Sequence, residues 1–468
     1  MAEEGLLDRL VGWFDDQLGF RKTPLKPVPE YVLNPAYWLG ALLAVTFVLQ
    51  GVTGAIQLIY YVPTPESAYS STTFVIQNVP YGLLVETLHL YTAYAMILLM
   101  VMHGVRNYFS SLHKGRRKLM WMTGILMMAV VLSYGVTGYL LPWTVISKSA
   151  TDVALGLLGL LPPGLREVAK FIVAGNGSDA DELRHFFAVH IMVLPMALIT
   201  FLAAKIYMYE VHGPAYNPVF GRGRRDYIGW FPRVFLYALL LASLYVGALF
   251  AVAALFPLRL PPGFTAAGAS GYVIQPDWYL LWLYQLLKFE AFEGGFAPLV
   301  LGGLGAAYVL LLLLPFIDQS GRVYPGDRPV FVTLGLVALA EVLTLTVWGY
   351  LTPGQVIPNL DAVAVLGSVA LATTLCVLLL YSYRAGRSVS RPAPSSPSVT
   401  LGIPTRAVVA FVALLSIASM ALSSLASTMG NIGNSELLSG GIATGAILLM
   451  ALLVRRTVAL HERITGAQ

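Results

Sequence analysis

Residues 89–103 read HLYTAYAMILLMVMH and residues 190–205 read HIMVLPMALITFLAAK. Each stretch is apolar through its interior and begins and ends on a side chain able to bind a metal: His89 and His103 in the first, His190 and Lys205 in the second. The members of the pairs stand 14 and 15 residues apart. As helix those gaps span roughly 21 and 22 Å, about two-thirds of the hydrocarbon core of a bilayer. Both gaps are close to four whole turns, so each pair keeps near one face of its helix. Two such helices set face to face offer one pair of ligands near each surface of a membrane.

The rest of the chain fits that setting. Of its 468 residues 57% are hydrophobic and only 11% are charged, and the mean hydropathy is +0.72. That composition belongs to a polytopic membrane protein. The single cysteine, Cys376, leaves no room for a disulfide framework, a thiolate zinc site or an iron–sulfur cluster held by this chain alone. Ten apolar stretches stand out, at residues 37–61, 83–110, 119–141, 184–210, 231–257, 296–317, 329–350, 360–383, 405–428 and 438–455. The fold expected is therefore all-α, with about ten membrane spans. Alternating the loops puts 21 Lys and Arg on one side and 6 on the other, which makes both termini cytoplasmic. The basic residues sort by membrane side rather than into a patch, so no nucleic-acid partner is expected. Residues 1–36, with GLLDRLVGWFDDQLGF, read as an amphipathic arm lying on the lipid surface. A Pro/Ser/Arg linker at 384–404 separates the body from a two-span hairpin and tail at 405–468.

Histidines inside lipid spans are rare and are functional by default, and imidazole is a usual axial ligand of electron-transfer heme. For one histidine alone, a hydrogen-bonded contact between helices is an equal reading. Glycines strengthen the heme reading. Gly40 and Gly54 on the first span are 14 residues apart, as are Gly124 and Gly138 on the third. A porphyrin edge wedged between helices needs backbone without side chains at two heights, although glycine also serves as plain packing surface in membranes. Arg106, three residues beyond His103, suits a heme propionate or an interfacial anchor. Residues 37–230 are thus expected to form a di-heme four-helix bundle, followed by C-terminal helices at 231–383.

Further strings carry a resemblance: WFDDQLG (13–19), LQGVTG (49–54), GVTGYLLPW (135–143), RHFFAVH (184–190), NP (217–218) and PDWY (276–279). Over roughly residues 10–383 the chain resembles the cytochrome b of quinol–cytochrome c reductase (cytochrome bc) complexes and of the plastid bf complex, in a prokaryotic fused form. The resemblance implies one heme, of b type or a variant, between His89 and His190 near the outer face. A second would lie near the cytoplasmic face between His103 and Lys205. It implies oxidation of a quinol at the outer face, with one electron leaving to a Rieske iron–sulfur protein and the other crossing to a quinone. PDWY is similar to the family's quinol-oxidation motif, so Asp277 is the expected base, Pro276 and Trp278 line the quinone site, and Tyr279 and Tyr139 position the head group. Further respiratory subunits, membrane lipid and a second copy of the chain are the implied partners, in the prokaryotic plasma membrane.

The sequence also departs from that pattern. Asp277 stands where the family usually has Glu, and Lys205 where it has a histidine. Lysine ligates iron only as the neutral amine, and removing its proton at pH 7 costs about 4.6 kcal/mol from its reference pKa. The alternative for Lys205 is a side chain snorkelling to the surface. Glu86 replaces an Arg that faces propionates, and Trp38 replaces a Cys that holds a third heme. Glu210 and His212 replace the inner-site histidine pattern, leaving Asp226 in RRDYIGWFP as the candidate proton donor to reduced quinone, against a solvated loop. His113 reads as a loop residue. The rival functions are a quinol dehydrogenase anchor with one heme at His89/His190 and a heme-free transporter.

Overall fold

A computed structural model describes residues 27–389 apart from 176, 215–226, 266–272 and 294. Asp226, the NP pair, most of the N-terminal arm, the linker beyond 389 and the expected spans at 405–428 and 438–455 lie outside the described residues. The described chain divides into two compact units.

The first unit comprises residues 1–107, 112–144 and 170–263. It holds α1 (Leu39–Leu58), α2 (Gly82–Phe109), α3 (Lys118–Leu140), α4 (Asp179–Ala188), α5 (Leu194–His212) and α6 (Phe235–Leu255). Local sequence sets the ends of these helices. Ser178 caps α4 by accepting from the Asp181 N–H, and Asp179, Asp181 and Glu182 put negative charge at the positive end of the helix dipole. α5 stops at Gly213, whose φ of 69° closes the last turn, and Arg117 donates to the Gly213 carbonyl at 2.8 Å.

Between α4 and α5 the chain does not break. Residues Val189–Val193 form a π-turn, in which the Leu194 N–H reaches back five residues to the Val189 carbonyl. Pro195 explains it: the ring has no N–H to give and collides with the carbonyl four residues earlier, so the preceding turn widens. α3 packs along α5. Leu88, Leu249 and Ala253 pack together from α2 and α6, with Leu49 of α1 and Tyr245 against them. Between apolar helices in lipid such contacts hold by close packing and hydrogen bonds rather than by a hydrophobic force. One such bond joins Thr46 of α1 to Tyr245 of α6 at 2.7 Å.

The second unit comprises residues 108–111, 145–169 and 264–468, described as far as 389. It holds α7 (Leu281–Leu287), α8 (Ala297–Leu312), α9 (Pro329–Leu351) and α10 (Asn359–Val389). α7 lies against α9 and α9 against α10, around Phe289, Leu345, Trp348, Ile357 and Ala362. α7 comes so near α9 that a Cβ at Gly349 would stand 2.6 Å from the Leu281 carbonyl oxygen. A buried ion pair, Arg328 with Asp318, joins the loop before α9 to the start of that helix. Arg328 also donates to the Ser111 hydroxyl.

Seven helices among the described residues are long and apolar enough to cross a membrane. They correspond to seven of the ten expected stretches. The stretch at 296–317 is interrupted: α8 ends at Leu312, and Leu314–Ile317 form a separate turn begun by Pro315. The all-α polytopic expectation holds, and a count of ten is not reached among the described residues.

Candidate functional site

The four candidate ligands all lie in the first unit, each opposite one of the four glycines. A Cβ at Gly54 would stand 3.2 Å from His89 Cε1, and one at Gly40 3.3 Å from His103 Cε1. On the other side, a Cβ at Gly138 would stand 2.8 Å from His190 Cε1, and one at Gly124 2.7 Å from Lys205 Nζ. Lys205 therefore points to its glycine as the histidines point to theirs, and does not snorkel away from it. His89 and His190, with Gly54 and Gly138, are the residues of one expected level, and His103 and Lys205, with Gly40 and Gly124, those of the other.

The level of His89 and His190, the outer one in the expected topology, is tied down by hydroxyls that the spacing of the ligands does not reveal. Thr53 Oγ1 lies 2.8 Å from His89 Nδ1, and Thr137 Oγ1 lies 2.9 Å from His190 Nδ1. The Tyr134 ring meets His190 edge-on with centroids 5.2 Å apart. The His89 carbonyl accepts from Gln50 Nε2 at 2.8 Å, which fixes the backbone of that turn as well. A signal was present in the sequence, because GVTG occurs at both 51–54 and 135–138 and puts a threonine before each outer glycine.

The inner level is built differently. His103 Nδ1 is buried and has no hydrogen-bond partner among the described residues. Arg106 donates to the Ala36 carbonyl and its guanidinium lies 5.1 Å from the Tyr37 ring centroid, so it is held by the turn leading into α1. Trp38 donates its indole N–H to the Val32 carbonyl at 2.9 Å. Glu86 sits on α2, one turn before His89. His113 is a loop residue as expected, but it is fully buried, with its ring edge-on to Trp121 at 5.3 Å.

Tyr139 lies half-buried near the end of α3. Tyr61 holds that end by donating to the Leu141 carbonyl at 2.7 Å, and Trp143 turns the chain with a left-handed φ of 51°. Such a conformation is strained for a bulky side chain. In the second unit, Asp277 precedes a 3₁₀ turn at Trp278–Leu280. Tyr279 is buried while Trp278 is 40% exposed. Gln275 fastens this segment to the end of α9 by donating to the carbonyls of Gly349 and Tyr350 at 3.1 and 3.0 Å. Further along, Lys288 donates to the Thr352 carbonyl and hydroxyl. Burial pulls its ammonium down from 10.5 to about 8.

These residues fit a pair of planar metal-binding macrocycles. Where each candidate ligand projects, the facing helix presents glycine; a Cβ at Gly138 would force the His190 ring aside, one at Gly124 would displace the end of Lys205, and one at Gly40 or Gly54 would press its histidine by a few tenths of an ångström. No cluster of three or more His, Cys, Asp or Glu able to hold a bare metal ion occurs among the described residues. Two nitrogen donors per level suit an iron whose other ligands come from a macrocycle.

Comparison with known proteins bears on the same residues. Residues 25–213 match the family model described as cytochrome b/b6/petB, and residues 269–367 the one described as cytochrome b (C-terminal)/b6/petD. The chain is 29% identical over 433 residues to a cytochrome b of Sulfolobus acidocaldarius, covering 86% of this chain and 76% of that one. It is 29% identical over 360 residues to a cytochrome bc complex cytochrome b subunit of Chlorobaculum thiosulfatiphilum, covering 72% and 80%. A cytochrome b6 of Heliobacterium mobile is 35% identical over 187 residues, 40% of this chain and 88% of that one. Among solved structures, a chain of a hyperthermophilic respiratory Complex III shares the fold with a TM-score of 0.62 at 23% identity, covering 79% of this chain and 97% of that one.

Proposed function

The chain belongs to the cytochrome b family as a fused form carrying both of the family's regions, and on that premise we propose that it oxidises quinol at the outer face of a prokaryotic plasma membrane and reduces quinone near the cytoplasmic face. Both termini are then cytoplasmic. The observation that carries the reading is the opposition of four donor side chains to four glycines at two depths. His89 and His190 would hold the outer heme, and His103 and Lys205 the inner one. Bound there, heme supplies a one-electron carrier at each depth.

The chain's own groups do the rest. To bind iron Lys205 must present a neutral amine. Quinol oxidation releases protons as well as electrons, so the outer site needs a base. Asp277 is the carboxylate of the PDWY segment, and Gln275 and the 3₁₀ turn after it hold that segment in place. Pro276 and Trp278 flank it, and Tyr279 carries the hydroxyl assigned to the head group. Asp226 remains the proposed proton donor at the inner face. The second electron of each quinol goes to a Rieske iron–sulfur partner. Further respiratory subunits and a second copy of the chain complete the assembly.

Heme extraction with quantitative absorption spectroscopy on the purified chain tests this reading. Two hemes per chain are expected. One heme would favour the single-heme dehydrogenase anchor, and none the transporter. Lys205→Met should alter or abolish the inner heme's spectrum and leave the outer heme's unchanged. An unaltered inner spectrum would remove Lys205 from the ligand set.

A further inference from the structure

Thr53 and Thr137 occupy equivalent places on α1 and α3, each one residue before the glycine that faces an outer histidine. Each hydroxyl has a single proton, and each has a backbone carbonyl within reach to take it. Thr53 donates to the Leu49 carbonyl at 2.8 Å, and Thr137 to the Ser133 carbonyl at 2.8 Å, the usual back-bond of a threonine in a membrane helix. With those back-bonds kept, the threonine oxygens accept at the imidazoles, and Nδ1 of His89 and of His190 carries the hydrogen. That assignment fixes the tautomer on both rings and leaves Nε2 as a lone pair. A hydroxyl that already donates to a carbonyl is also the more strongly polarised acceptor. At the inner level nothing comparable occurs: His103 Nδ1 has no partner among the described residues, and the other donor is an amine.

We propose that Thr53 and Thr137 are positioning residues that lock the outer histidines in the Nδ1–H form and set the outer heme's potential apart from the inner one. The inference rests on the two-heme reading above. A hydrogen bond accepted from Nδ1–H raises the basicity of the opposite nitrogen, and a more basic ligand stabilises ferric over ferrous iron. The two hydroxyls thus pull the outer potential downward, while the inner heme lacks this influence and serves as an internal reference.

The test uses the purified full chain with its hemes, in four single variants: Thr53→Val, Thr53→Ser, Thr137→Val and Thr137→Ser. Valine keeps the shape and removes the acceptor, whereas serine keeps the acceptor. Redox titration followed by heme absorbance, with electron paramagnetic resonance of the ferric state, reads each heme separately. Each valine variant should make the outer heme easier to reduce by up to roughly tenfold, ~60 mV for a one-electron couple. It should also change the outer resonance, leave the inner heme where it was, and be reversed by serine. Selective loss of the outer heme in the valine variants with retention in the serine variants supports the same conclusion. Unmoved potentials, or equal shifts with valine and serine, would overturn it. Loss of the outer heme in all four variants would do so too, because it would show a requirement for shape rather than for the bond. If the parent chain binds no heme or one, the two-heme reading falls before these variants are compared; if it binds two, only the role of the threonines is at stake.

Discussion

Adding one methyl group at Gly138 tests the reading with the least disturbance elsewhere. An alanine Cβ there would stand 2.8 Å from His190 Cε1 and 3.4 Å from both ring nitrogens. Carbon atoms pack best at about 3.5–4.0 Å, so the ring must retreat by something near 1 Å. It cannot do so freely, because Thr137 holds Nδ1 at 2.9 Å and Tyr134 closes its edge. Overpacking of this kind costs about 1–3 kcal/mol, and losing the hydrogen bond adds roughly 1 kcal/mol. If that strain falls on the heme-bound state, affinity for the outer heme drops by about tenfold to a thousandfold, at 1.4 kcal/mol per decade. Helix propensity works the other way, since alanine is favoured over glycine in a helix by about 1 kcal/mol. Gly51 and Gly104 serve as controls, because a Cβ at either meets nothing within 4 Å. Heme content per chain, measured by extraction and by the difference spectrum, is the assay. Gly138→Ala should lose or distort the outer heme while Gly51→Ala and Gly104→Ala keep both. Full occupancy with an unchanged spectrum in Gly138→Ala would refute the assignment of that glycine to a heme edge.

Three further outcomes follow from other parts of the molecule. Asp277→Asn should slow quinol oxidation by roughly 10²–10⁴-fold with heme content unchanged, and Asp277→Glu should retain activity, as steady-state assays with a water-soluble electron acceptor would show. Asp318→Ala leaves the Arg328 guanidinium buried without its counter-charge, since the two side chains are 0% and 2% exposed. Thermal unfolding in detergent should register a loss of about 3–5 kcal/mol. Lys288 gives a pH dependence: below about 8 both folded and unfolded chains hold its proton, and between about 8 and 10.5 only the unfolded chain does. Stability should therefore rise with pH through that window, and Lys288→Met should flatten the rise.

Seven membrane spans and the placing of the four candidate donors opposite glycines were legible because they depend on local quantities: hydropathy over about twenty residues, and a spacing counted along a single helix. The facing glycines were legible for the same reason. The repeated GVTG marks Thr53 and Thr137 but not what they meet, because a threonine in an apolar helix is fully explained by its bond to its own backbone. Its second role needs a ring arriving from another helix. His113 reads as a loop residue from its neighbours Lys114, Gly115 and Arg116, and its burial, with Trp121 edge-on to its ring, is a tertiary fact. The pairing of Arg328 with Asp318 is likewise invisible from composition, which counts both as solvated loop charges. Pro315 could have shortened the sixth span in advance, since proline ends helices for reasons visible in one residue.

The widened turn around His190 resolves an arithmetic mismatch between the two donor helices. Each residue of a regular helix rotates the chain by about 100°, so 14 residues fall about 40° short of four revolutions and 15 overshoot by about 60°. With unbroken geometry, Lys205 would come round about one residue's rotation out of phase with the place His103 takes on α2. The loop of slack at Val189–Val193 absorbs one residue without advancing the screw, so 15 residues behave as 14. They then match the 14-residue interval between Gly124 and Gly138 on the facing helix. Pro195 thus acts as a phase corrector for a side chain ten positions downstream, and the aim of Lys205 is set as much by that ring as by its own place in the sequence.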